Sequence, residues 1–157
     1  MSYRILTMGW LFALLSLTAC DAGVPAKAGT KVTFDDVCDK GNEGKRVSLE
    51  GFLDFPARFN AKASSIVMRF HAAPSRSARA IGARTRLSAG SNTVIAPPDR
   101  YNETDLKVIT HDGKFAGYRT RLKLTGIAGF SDSLETRDFT CFIKDVRIEL
   151  AGVAAAQ

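Results

Sequence analysis

Much of this chain alternates apolar and polar residues with a period of two. In "VSLEGFLDF" the apolar set is Val47, Leu49, Leu53 and Phe55, with Ser48, Glu50 and Asp54 between them. In "SIVMRFHA", Ile66, Met68, Phe70 and Ala72 alternate with Val67, Arg69 and His71. "RTRLKLTGIAGF" sets Leu122, Leu124, Ala128 and Phe130 against Arg119, Arg121, Lys123 and Thr125. The last apolar stretch sets Phe142, Val146, Ile148 and Leu150 against Asp145, Arg147 and Glu149. Alternation of this kind predicts strands with one buried face. Pro56 and Pro74 are placed to end the first two.

Three other segments carry weaker signals. "TFDDVCDKG" predicts one short helix, because Thr33 and Asp36 match a capping box and Phe34, Val37 and Cys38 fall on one face, with Gly41 as terminator. "THDGKF" predicts a hairpin with Asp112-Gly113 in a two-residue type I′ turn. Phe115 would then share a face with Leu106, Val108 and Thr110, and Gly117 would host a bulge that restores the phase of Leu122 and Leu124. Between residues 73 and 105 the pattern fades, leaving "GARTRL" and "NTVIA" as candidate strands. One short N-terminal helix and five or six antiparallel strands predict a small all-β domain, a barrel or a β-sandwich. "GKRVSLEGFLDF" and "LKLTGIAGF…CFIKDVRIEL" resemble exported bacterial proteins with an oligonucleotide/oligosaccharide-binding (OB) type barrel. The resemblance implies an OB-like barrel over residues 32–151, with 152–157 as a frayed tail. An immunoglobulin-like sandwich fits less well, since that fold usually buries a Trp and the sole Trp here is Trp10.

The N-terminus differs from the rest. Residues 1–19 carry one charged side chain, Arg4, before the apolar run "MGWLFALLSLTA". That run is shorter than the roughly 20 residues a membrane-spanning helix needs and suits the core of an export signal. Leu17-Thr18-Ala19-Cys20 resembles the lipobox of bacterial lipoproteins. The resemblance implies cleavage before Cys20, acylation of that cysteine, and a cell-envelope location facing the periplasm. Asp21 resembles the retention signal that favours the plasma membrane over the outer membrane. Residues 20–31 are expected to form the lipidated tether, of which the small, polar, Gly/Pro-punctuated stretch 21–31 reaches about 35 Å when extended. With Cys20 acylated, Cys38 and Cys141 remain as an even pair in an oxidising compartment and are expected to form a disulfide, two buried thiols being the alternative.

Charge adds one asymmetry. The chain holds 22 basic and 16 acidic side chains. Between Asp54 and Asp99 there is no acid, while Arg58, Lys62, Arg69, Arg76, Arg79, Arg84 and Arg86 all fall there. Arg119, Arg121 and Lys123 add a row at period two. Such rows are either a solvated face paired with acids on other strands or an anion-facing surface. The candidate binding set is Arg69, Arg84, Arg86, Arg119, Arg121 and Lys123, with His71 beside it. No catalytic constellation is present: His71 and His111 lack metal-ligand spacing, and no serine sits in a nucleophile elbow. No metal or other cofactor is therefore expected. Nucleic acid is not expected either, since the apolar pattern places Phe55, Phe70 and Phe130 inside and single-strand binders need exposed aromatic platforms. The expectation is a lipid-anchored envelope binding or assembly module meeting an anionic component or an envelope protein. An envelope enzyme acting on an anionic substrate is the alternative.

Overall fold

The computed structural model describes residues 27–57, 60, 63–130, 139 and 141–152. The predicted export segment 1–19, Cys20, the predicted tether up to residue 26, Arg58, Lys62 and the predicted tail from residue 153 lie outside the described residues. The strands are β1 (Thr30–Lys31), β2 (Arg46–Asp54), β3 (Ser65–His71), β4 (Ala80–Leu87), β5 (Thr93–Val94), β6 (Lys107–Ile109), β7 (Phe115–Gly117), β8 (Arg121–Phe130) and β9 (Cys141–Leu150). Five of them close a ring in the order β2-β8-β9-β4-β3 and back to β2. All contacts in the ring are antiparallel except β4 with β9, which run parallel over Gly82–Ala83 and Phe142–Ile143. This is a small all-β barrel of OB type. The strong period-two segments supply β2, β3, β8 and β9, and "GARTRL" lies within β4. "NTVIA" contains β5, which opens an insertion between β4 and β8 that continues through β6 and β7.

Inward residues fill the barrel. Val47, Leu49, Met68, Phe70, Ile81, Leu122, Leu124, Ile143 and Ile148 are all buried, each side chain contributing about 1.5–3 kcal/mol by leaving water. The insertion adds Val94, Leu106, Val108 and Ala116 to the same core. Its Tyr101 packs edge-on against Phe55 at 4.9 Å and donates to the Pro56 carbonyl at 3.0 Å. Asn102, which begins an N-x-T triplet, caps a 3-10 turn over Glu103–Asp105, accepting from the Thr104 amide at 2.8 Å.

The predicted N-terminal helix is a single capped turn. Thr33 Oγ1 accepts from the amides of Asp35 and Asp36 and donates to Asp36, and one Val37 N–H to Thr33 carbonyl bond follows. The chain then passes into a 3-10 turn at Lys40–Asn42. Phe34 and Val37 are nevertheless inside, with Phe34 5.3 Å from Phe70. Cys38 is bonded to Cys141, with Cα atoms 5.4 Å apart, so a disulfide ties this turn to the start of β9. The ring, its core and this disulfide all lie between Thr30 and Leu150, so the barrel is complete without the first 20 residues.

Two expectations about phase do not hold. Cys141 and Ile143 point inward, then Lys144 and Asp145 are both exposed, then Val146 and Ile148 point inward. Pairing jumps from Thr125↔Arg147 to Ile127↔Lys144, and Asp145 adopts φ 51°. This bulge reverses the alternation within β9, so Phe142 lies on the outer face rather than with Val146 in the core. The hairpin is also longer than a two-residue turn. Ile109 pairs with Phe115, the Thr110 N–H donates to the Lys114 carbonyl, and Gly113 takes the left-handed position at φ 80°. That is a turn followed by a glycine bulge. The resulting register puts Ala116 opposite Val108 in the core and leaves Phe115 73% exposed.

Candidate functional site

The acid-free basic stretch is partly neutralised by acids distant in sequence. Arg76 Nε lies 2.8 Å from the buried Asp54 and 2.9 Å from Glu103 on the insertion. Arg79 pairs with Asp35 of the N-terminal turn. Arg69 on β3 and Arg86 on β4 have no salt bridge to an acid among the described residues, and Arg84 lies beside Arg86 on β4.

These three share the outer face. β3 turns Ile66, Met68 and Phe70 inward, while β4 turns Ile81, Ala83 and Thr85 inward. Register sets Arg84 opposite Val67, Arg86 opposite Ser65, and Gly82 opposite Arg69. The Arg69 guanidinium lies 5.7 Å from the ring centre of Phe139, and that of Arg84 lies 6.0 Å from Phe142. The rings can lie this close to the sheet because of glycine. A Cβ at Gly82 would come within 3.0 Å of Val67 and Phe142, and one at Gly129 within 3.1 Å of Phe142. The result is an aromatic floor carrying guanidinium groups, a favourable cation–ring arrangement. Arg69 and Arg86 make no salt bridge to an acid among the described residues. Phe142 packs against Gly82 and Gly129, with the Arg84 guanidinium over its ring.

The β8 residues behave differently. Lys123 stands between Glu50 on β2 and Glu149 on β9 in direct cross-strand register. Its ammonium reaches Glu149 at 3.3 Å, and Arg121 reaches Glu50 at 3.3 Å. Opposite charges placed across strands in this way stabilise a sheet. Arg119 does not belong to the row at all. It precedes β8 in a turn, at φ 63°, stacked 5.2 Å from Tyr118. Since β8 borders β2 and β9, it lies across the ring from β3 and β4. The six basic residues singled out from the sequence therefore do not form one surface.

His71 is outward in phase but covered, at 3% exposure, by the loop that follows β3. Its Nδ1 lies 3.4 Å from the Ala78 carbonyl, and Nε2 has no hydrogen-bond partner among the described residues. Burial lowers its pKa, and Arg69 and Arg76 nearby push in the same direction.

A crevice opens where β4 and β9 part. Beyond Ala83 and Ile143, β4 pairs with β5 through Arg86↔Thr93 and Leu87↔Val94. The freed edge of β9 is taken instead by the side chain of Asn92, in the left-handed region at φ 60°. Its Nδ2 donates to the Val146 carbonyl at 2.6 Å, and its Oδ1 accepts from the Ile148 N–H at 2.7 Å. The space left is about 430 Å³, lined by Arg84, Arg86, Arg147, Asp145, Ser65 and Ser91 around Asn92. Sequence reasoning missed Arg147, Asn92 and Phe142 here. The adjacent pair Lys144-Asp145, breaking an apolar alternation, is the signal that could have revealed the bulge that positions them.

Among the described residues, no group of three or more His, Cys, Asp or Glu side chains is arranged to hold a metal ion. Comparison with protein-family models, curated proteins and solved structures finds no match for this chain, so its architecture and side-chain geometry alone carry the functional argument.

Proposed function

We propose that this chain is a lipid-anchored binding module of the bacterial cell envelope, tethered through Cys20 and engaging an anionic envelope component through the β3–β4 face. The lipobox resemblance supports the tether. The observation that carries the binding reading is the contrast in pairing: Arg121 and Lys123 are matched to Glu50 and Glu149, whereas Arg69 and Arg86 face outward without an acid among the described residues. In OB-type barrels the second and third strands form the ligand face, and β3 and β4 are those strands here. A cluster of exposed guanidinium groups beside an anionic surface gains about 1 kcal/mol per charge.

Two measurements test this. Replacing Cys20 by Ser should abolish metabolic acyl labelling and release the protein from membranes; retained label would refute the tether. Residues 21–157, which contain every strand of the barrel, should sediment with phosphatidylglycerol vesicles, and binding should weaken steeply as salt exceeds about 0.15 M, where exposed charges are screened beyond about 8 Å. Binding indifferent to salt and to Arg86→Glu would refute the anion-facing surface.

A further inference from the structure

We propose that the crevice between β4 and β9 is a phosphate-binding site, and that its ligand is a phosphate ester flanked by hydroxyl groups. This rests on the reading of the chain as an anion-binding module and supplies the chemistry of the ligand. The crevice exists because a parallel pair separates: β9 bulges at Asp145 while β4 swings away to pair with β5. Asn92 satisfies the exposed edge of β9 through both ends of its amide, which fixes the base of the crevice rigidly.

Three guanidinium groups from two strands line this space, with one carboxylate, Asp145. Arg86 has no salt bridge among the described residues. Arg147 reaches Glu149 through Nε at 3.3 Å, leaving its two terminal nitrogens to other acceptors. Arg84 lies over Phe142, whose ring gives it a weakly hydrated surrounding. Arg86 from β4 and Arg147 from β9 bring like charges to the same crevice, and an anion bound there is attracted to both. Planar guanidinium forks match phosphate oxygens two at a time. A phosphate, with more oxygens and up to two charges, answers guanidinium forks from two strands more fully than a carboxylate with two oxygens and one charge.

The remaining lining selects what surrounds the phosphate. Ser65 and Ser91 offer hydroxyls, and Thr85, which also borders the crevice, has a buried hydroxyl with no hydrogen-bond partner among the described residues. An ionised Asp145 accepts hydrogen bonds only, so it favours ligand hydroxyl groups and disfavours a second anionic group. The volume of about 430 Å³ lies within the range of small-ligand pockets. A glycerophosphate-sized group meets all of these conditions. It can come from a phospholipid headgroup or from a soluble sugar or polyol phosphate.

The test titrates residues 21–157 with glycerol 1-phosphate, inorganic phosphate and glycerol, read by amide and arginine side-chain NMR shifts. Glycerol 1-phosphate should bind one to one, shifting Ser65, Arg84 to Arg86, Ser91 and Arg147. Inorganic phosphate should bind more weakly and glycerol not at all. Arg86→Gln and Arg147→Gln should each weaken glycerol 1-phosphate about tenfold or more, the scale of one charge-assisted contact. Lys123→Gln should leave affinity unchanged. Arg86 is exposed, so its variant tests binding without risk to folding. Competition by phosphatidylglycerol vesicles, but not phosphatidylcholine vesicles, would make the headgroup the source; indifference to both would make it a soluble ester. No saturable binding, or equal weakening by Lys123→Gln, overturns the site. If vesicles still bind in an Arg86-dependent way while glycerol 1-phosphate does not bind, only the crevice assignment falls. If vesicles also fail to bind, the anion-facing reading falls with it.

Discussion

Two sides of this barrel carry basic rows on strands of similar length, and the rows have different neighbours. Across β2, β8 and β9 the outer face runs Glu50, Lys123, Glu149 in register, with Arg121 reaching diagonally to Glu50. Across β3 and β4 the same kind of spacing puts Arg84 and Arg86 beside Val67 and Ser65, with Arg69 over an aromatic ring. The first arrangement is closed: each cation has a carboxylate, and the row contributes to the sheet. The second leaves Arg69 and Arg86 without an acid among the described residues, Arg69 lying over Phe139. Sequence spacing is identical in the two cases; cross-strand partners make the difference. A charge row therefore acquires a function only through what the neighbouring strands set against it.

That comparison can be strained in several ways. The largest expected effect comes from the Cys38–Cys141 disulfide, which holds the start of β9, and hence Phe142, against the N-terminal turn. Replacing both cysteines by Ser should cost about 3 kcal/mol, the usual scale for a link closing a long loop, and lower Tm by about 10 °C. Calorimetry checks this, and unchanged Tm would show that the bond is not what restrains the β3–β4–β9 side. Smaller is the effect of Lys123→Glu, which sets three carboxylates side by side across β2, β8 and β9. It should cost about 1 kcal/mol and leave vesicle binding intact. Stability unaffected by this change would mean the closed row contributes nothing to the sheet.

The smallest effect is a pH dependence arising at the edge of the basic face. Burial lowers the His71 pKa in the folded barrel, so the unfolded chain binds a proton more readily. Stability should be full above about pH 6.5, the unfolded value, and should decline as pH falls below it towards the folded pKa. His71→Gln should flatten that part of the pH profile of Tm. A profile identical in the two proteins would show that His71 does not couple folding to protonation.

The fold was largely legible because β2, β3 and β8 keep strict alternation from end to end, and closed sheets bury one face of each strand. The parts that were not legible share a cause, an extra residue that changes phase. At Asp145 the bulge reverses the outward set of β9, so Phe142, in phase with Val146 by alternation, lies on the outer face. At Gly113 the longer turn turned Phe115 outward and made a correcting bulge at Gly117 unnecessary. The basic site was half legible. Arg84 and Arg86 project together as their spacing requires. The partners of Arg76 and Arg79, however, are Asp54 with Glu103, and Asp35, which only the closed barrel brings near. Arg147 joins the crevice solely because β4 and β9 part.

Reversing one exposed charge in each basic row separates a row closed by its own carboxylates from one that meets an anionic partner. Arg86→Glu and Lys123→Glu should be compared in residues 21–157 for sedimentation with phosphatidylglycerol vesicles and for Tm. The account predicts that Arg86→Glu weakens vesicle binding about thirtyfold, from roughly 1 kcal/mol for each of two charge units, with Tm unchanged. It predicts that Lys123→Glu lowers Tm and leaves binding intact. Equal loss of binding in the two variants, or loss in Lys123→Glu alone, would contradict it.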